Sequence, residues 1–160
     1  MKEAKDFSYE GTCAEGWSSV SNSSTKCYKF MDLQQSWENA RNHCKSLAPN
    51  NGGDLASIHD PETNNFLVNF EGTVSQYCPW IGAIQHSSDL AHWAWTDGSA
   101  FDYSKWKAGE PNGENDKYAC MNIHQGSNPT CSSHHPRIGW WSDVSDGIGQ
   151  WRRFFCQQNK

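Results

Sequence analysis

The chain predicts an α+β domain, and three observations carry that reading. Helix-period apolar spacing occupies two segments of the first half, short extended runs between Gly-containing loops fill the second, and seven cysteines are spread singly through 160 residues. None of the cysteines forms a C-x-x-C pair, so zinc ribbons and redox motifs give way to disulfides made in an oxidising compartment. This length limits the chain to one core, with nine Trp and seven Phe as its large anchors.

Residues 1–10 are polar and unpatterned and predict a flexible N-terminal segment, leaving 11–160 as the domain. A formal charge of −5 without basic clusters argues against nucleic acid as partner. No apolar run approaches the ~20 residues that cross a bilayer, so membrane insertion is not expected. No Gly-x-Ser-x-Gly, phosphate loop or hydrolase acid pair is present, so an enzyme is not expected either.

Cys13 and Cys27 bracket a turn-rich segment that leads into strand-like Cys27-Tyr28-Lys29-Phe30, which reads as a disulfide-closed hairpin. Within it, Asn22-Ser23-Ser24 has the form of a glycosylation acceptor. Trp37, Ala40, Cys44 and Leu47 then recur at spacings of three, four and three, predicting a helix over Gln34–Leu47 with Asp32 or Ser36 as cap and Cys44 on its buried face. Asp60 followed by Pro61 predicts the start of a second helix with an apolar stripe of Phe66, Leu67 and Phe70, ended by Glu71-Gly72. Strand candidates are Trp80–Ile84, Trp93–Trp95, Ala119–Ile123, Gly139–Trp141 and Trp151–Cys156.

The stretch Gly109-Glu110-Pro111-Asn112-Gly113-Glu114-Asn115-Asp116, read with Trp141-Ser142-Asp143, is rich in carboxylate and amide oxygens. Such donors suit a hard cation, which takes six to eight oxygen ligands at about 2.3–2.6 Å. A cis peptide at Glu110-Pro111 would aim both flanking side chains at one point. The plain alternative for an acidic Gly/Pro stretch is a solvated loop. His124, His134 and His135 with Cys131 are better read as wet loop residues than as a transition-metal set, because their spacing is irregular. His59 beside Asp60 reads as surface.

From Cys13 to Cys156 the ordered signatures Ser36-Trp37-Glu38-Asn39-Ala40-Arg41, Gly53-Asp54-Leu55-Ala56-Ser57-Ile58, Trp80-Ile81-Gly82, Trp95-Thr96-Asp97-Gly98-Ser99, Glu110-Pro111-Asn112, Trp141-Ser142-Asp143 and Phe154-Phe155-Cys156 resemble the C-type lectin-like domain. The resemblance implies a double-loop fold with two helices, small antiparallel sheets and a long loop carrying calcium and sugar. It implies a Cys44–Cys156 bridge, worth ~4–5 kcal/mol in the chain-entropy model, and a Cys13–Cys27 bridge marking the long form. The family's remaining bridge would join Cys120 to a position held here by Asp146. Proximity in sequence then favours Cys120 with Cys131, leaving Cys78 free or available for an oligomer.

Carried over residue by residue, the resemblance makes Glu110, Asn112, Asp116, Ser142 and Asp143 calcium ligands that also face the sugar, with Glu114 as the alternative to Asp116. Tyr118 stands where the family has a glutamate ligand, and Ser142 replaces an asparagine, which weakens that ligand. Gln85 stands where an acid would serve a second calcium site, so one site is expected. In the family the Glu-Pro-Asn order accompanies mannose-type sugars: mannose, N-acetylglucosamine and fucose. The implied function is a secreted or extracellular, calcium-dependent lectin for microbial or cell-surface glycans. The alternative within the same fold is binding of a protein or an ice surface with structural calcium.

Overall fold

The computed structural model describes residues 12–70, 78–86, 91–113, 116–123, 138–145 and 151–160. Its elements in order are β1 (Lys26–Gln35), α1 (Trp37–Leu47), β2 (Asp54–Leu55), α2 (Pro61–Val68), β3 (Trp80–Gln85), β4 (Trp93–Trp95), β5 (Tyr118–Met121), β6 (Trp141–Val144) and β7 (Arg152–Asn159). The N-terminal segment 1–10, Glu114, His124, Cys131, His134, His135 and Asp146 lie outside the described residues.

Both helices begin where their caps place them. The Ser36 side chain accepts the Asn39 amide, and Asp60 accepts that of Thr63, with Pro61 in the first turn where no amide hydrogen is needed. The extended strand β1 consumes Gln34 and Gln35, so α1 starts at Trp37 rather than at Gln34. Asp32 is not a cap; it ion-pairs with Arg153 on the neighbouring strand. Trp37, Ala40 and Cys44 are buried as their spacing requires, whereas Leu47 in the last turn is 41% exposed. In α2 the buried positions are Thr63, Asn64 and Leu67, and the helix stops at Val68 with Asn69 as its C-cap, ahead of Glu71-Gly72. Phe66 and Phe70 pack against the core from partly buried positions.

The strands form one connected sheet in the order β1-β7-β3-β5-β6, with β2 pairing β7 and β4 pairing β3. The last strand, β7, runs antiparallel to β1 from Lys26↔Asn159 to Gln35↔Arg152, and touches β3 in parallel at Trp80↔Phe154. Where backbones approach most closely a side chain has no room. A Cβ on Gly82 would stand 2.9 Å from the Leu55 carbonyl oxygen, and the Gly82 amide donates to Ala56 O at 2.8 Å. Two buried indoles donate their N–H groups across elements: Trp37 to Ile81 O and Trp80 to Gln35 O, each at 3.0 Å.

The disulfides are Cys13–Cys27, Cys44–Cys156 and Cys78–Cys120. The third corrects both the Cys120–Cys131 pairing and the assignment of Cys78 as free or oligomer-forming. Its cause is sheet register. Trp80 pairs with Cys120 across β3 and β5, which brings Cys78 to a Cα–Cα distance of 5.3 Å from Cys120. Closeness along the chain is outweighed by closeness across strands.

Asp97, just after β4, joins three segments that are distant in sequence. It accepts from Ser57 Oγ at 2.6 Å, Gln157 Nε2 at 2.7 Å and the Ser99 amide at 2.9 Å. Burial alone would push this carboxyl up, but the hydrogen bonds from Ser57, Ser99 and Gln157 outweigh it and hold the pKa at about 2. A depressed carboxylate adds stability above its unfolded pKa and loses it as pH falls through the folded value. The window here lies between 3.8 and about 2. The full shift corresponds to at most ~2.5 kcal/mol, reduced to ~1–2 kcal/mol because water reaches the half-buried group. Chemical denaturation of wild type and Asp97→Asn should therefore show a stability gap above pH ~4 that narrows toward pH ~2. A gap that does not change across this range contradicts the assignment.

Candidate functional site

The loop from Trp106 to Gly113 is anchored on β6 before it reaches the candidate ligands. Trp141 donates its amide to Lys105 O at 2.7 Å and accepts the Lys107 amide at 2.9 Å, and Glu110 then donates to Lys107 O at 2.9 Å. The Glu110-Pro111 peptide is cis. Beyond it, Asn112 donates its amide to both oxygens of Asp143 at 3.1 and 3.0 Å, and Gly113 donates to Asp143 Oδ2 at 2.9 Å. One buried carboxylate thus holds the turn after the proline.

These ties bring Glu110, Asn112 and Asp143 together, although the residues are 30 or more positions apart across the two segments. The Asn112 carboxamide donates to Glu110 Oε1 at 2.9 Å, while Glu110 Oε2 is buried without a hydrogen-bond partner among the described residues. Burial raises the Glu110 pKa to about 8, and the neighbouring Asp143 carboxylate adds to the rise. Asp116 is raised by burial and then by the charge of Asp143, and its own amide donates to Gly113 O at 3.2 Å. Ser142 is buried on β6 opposite Cys120 and immediately before Asp143.

Among the described residues no three His, Cys, Asp or Glu side chains form a ready metal cluster. The donors that converge are mixed, two carboxylates and an amide with a third acid nearby, which is the oxygen chemistry a hard cation accepts. A positive charge would relieve both the Glu110 oxygen that has no described partner and the upward push of the Asp143 charge on Glu110 and Asp116, so the residues fit a calcium ion. Tyr118 contributes no such oxygen. Its ring stacks on Trp37 at 4.5 Å and meets Trp80 edge-on at 6.3 Å. His59 lies apart from this site, hydrogen-bonded to Asp102 at 2.6 Å and to Ser99 at 3.1 Å.

One supporting residue was not singled out from the sequence. Asn64 on α2 is fully buried, accepts the Trp141 indole N–H at 2.9 Å and donates to Gly139 O at 3.0 Å. It therefore braces both ends of the segment that enters β6. The available signal was spacing, since Asn64 precedes Leu67 by three residues and shares its helix face.

The sequence model of the Lectin C-type domain matches residues 33–139. Ladderlectin of Oncorhynchus mykiss is 37% identical over 114 residues, covering 70% of this chain and 56% of the relative. A lectin of Pleurodeles waltl is 33% identical over 114 residues, covering 70% of this chain and 63% of its own length. The chain thus spans less than two thirds of either relative. Among solved structures, the C-type lectin CEL-I from Cucumaria echinata superposes with TM-score 0.72 at 25% identity, covering 92% of this chain and 97% of that one. The cow CD23 carbohydrate-recognition domain, crystallised in the presence of a GlcNAc2Man3 oligosaccharide, gives TM-score 0.70 at 28% identity, with 93% and 97% covered. A calcium-independent type II antifreeze protein has the same fold, with TM-score 0.69 at 22% identity and coverage of 92% and 95%.

Replacing Asn64 by Ala leaves the Trp141 N–H and the Gly139 carbonyl buried without their partner. An unsatisfied buried group costs ~1–3 kcal/mol, so Asn64→Ala should lower the unfolding free energy in urea by ~2–4 kcal/mol. An unchanged midpoint would show that these bonds do not brace β6.

Proposed function

The chain belongs to the C-type lectin domain family, and from that premise we propose that it is a calcium-dependent lectin for mannose-type sugars. As a member of this family it is a binding module and not an enzyme. The observation that carries the proposal is the Asp143 carboxylate holding the Glu110–Gly113 turn while a buried Glu110 oxygen has no partner among the described residues. Glu110, Asn112, Asp116 and Asp143 would hold the ion, with Ser142 as a weaker ligand and Glu114 as the alternative to Asp116. Calcium, when bound, supplies open coordination positions that two neighbouring sugar hydroxyls can complete.

This chain's residues set which diol fits. Glu110 can only accept hydrogen bonds once ionised, whereas the Asn112 carboxamide can donate, so the pair reads donors and acceptors in a fixed order. In the family that order accompanies mannose, N-acetylglucosamine and fucose. The partners are then microbial or cell-surface glycans. Three disulfides support an extracellular location, and among the described residues no helix is long and apolar enough to cross a membrane.

A ligand that binds only the folded state stabilises it by ~2.7 kcal/mol at a hundred times its Kd. Calcium at millimolar concentration should raise the melting temperature, and a chelator should reverse the rise. No response to either would remove calcium from the proposal.

A second test addresses the sugar. The double substitution Glu110→Gln with Asn112→Asp keeps one carboxylate and one amide but reverses their order. Competition of mannose and galactose against an immobilised mannose ligand should shift toward galactose, by roughly ten- to a hundred-fold for a hydrogen-bond mismatch of ~1–3 kcal/mol. Native preference for galactose would overturn the donor-and-acceptor reading. Indifference to both sugars in saturating calcium would favour binding of a protein or ice surface.

A further inference from the structure

We infer that Asn22 is a site of N-linked glycosylation. Asn22-Ser23-Ser24 satisfies the Asn-x-Ser/Thr rule, and the chain's other approach to it, Asn128-Pro129-Thr130, carries the proline that blocks it. The rule by itself is weak, but three independent features of the fold meet its requirements.

The first is geometry. The Ser24 amide donates to Ser21 O at 3.1 Å, so Asn22 and Ser23 are the two corner residues of a turn, and both are exposed. The second is freedom of the acceptor. The Asn22 carboxamide makes no hydrogen bond to a described residue; only its backbone oxygen is engaged, by Lys160 Nζ at 2.8 Å. By contrast the Asn64 carboxamide is committed to Trp141 and Gly139 and that of Asn112 to Glu110. The third is compartment. Three disulfides require an oxidising environment, and the secretory pathway that supplies it also holds the glycosylating machinery.

The reaction needs one co-reactant, an oligosaccharide carried on a polyprenyl diphosphate. A bond forms between Asn22 Nδ2 and the sugar C1, the C1–O bond to the diphosphate breaks, the diphosphate leaves with that electron pair, and the amide nitrogen gives up one proton. No electron donor or acceptor is required. After folding, Ser24 Oγ turns to Lys26 O at 3.0 Å. The turn feeds β1 at one edge of the sheet, whereas Asp143 lies on β6 at the other. A glycan here projects into solvent and leaves the Glu110–Gly113 turn open, and the inference holds whether or not that turn binds calcium.

The test is secretion of the full chain from cultured mammalian cells behind a cleavable leader, followed by peptide-N-glycosidase digestion and peptide mass spectrometry. The expected result is a glycosylated chain whose digestion releases the glycan and converts Asn22 to Asp. Asn22→Gln should abolish the modification without removing a folded-state contact. Ser24→Ala should abolish it with Asn22 still present, and Ser24→Thr should retain it. An unmodified Asn22 in secreted wild-type chain overturns the inference, as does a glycan that persists in both Asn22→Gln and Ser24→Ala.

Discussion

The position of β7 constrains everything else in this fold. The last strand lies between β1 and β3, pairs also with β2, and carries Cys156 to its bond with Cys44. Residues 26 and 159 are partners, so closure requires nearly the whole chain to return to its start. Closing so large a loop costs conformational entropy that grows only slowly with length, and the disulfide removes part of that cost from the unfolded state. The described loops of the middle of the chain, 96–113 and 138–140, are then carried on a closed base.

Those loops are organised from inside by Trp141. Its ring is met edge-on by Trp95, Tyr103 and Trp106 at 5.5, 5.8 and 5.7 Å, its indole N–H is taken by Asn64, and its backbone pairs with the chain at Lys105 and Lys107. Several large rings packed at steep angles around one indole form a close-packed cluster. Asp143 stands two residues further along β6. The charge of Asp143 adds to the burial that raises Glu110 and Asp116, an arrangement in keeping with the proposed cation.

The folding of the first half was legible because its signals are local. Ser36 and Asp60 cap the helices they were placed to cap, and Trp37, Ala40 and Cys44 fall on one buried face. Boundaries were less legible where neighbouring elements compete: β1 takes Gln34 and Gln35 because β7 offers partners as far as Arg152. Trp151, the first residue of the expected strand Trp151–Cys156, is 58% exposed and precedes β7. Leu47, the last residue of α1, is 41% exposed although it shares the spacing of Trp37, Ala40 and Cys44.

By itself the sequence determined which atoms could serve a site: the oxygens of Glu110, Asn112, Asp116 and Asp143, and the seven cysteines from which bridges could be drawn. Only the tertiary structure decided which of them meet. Cys78 joins Cys120 through the register of β3 on β5, Asp143 reaches the Asn112 and Gly113 amides across a gap of about thirty residues, and Asn64 reaches Trp141 from another element. The physical reason is that residue types and short-range spacing reside in the chain, whereas cross-strand register and the burial that shifts Glu110 arise only when distant segments pack.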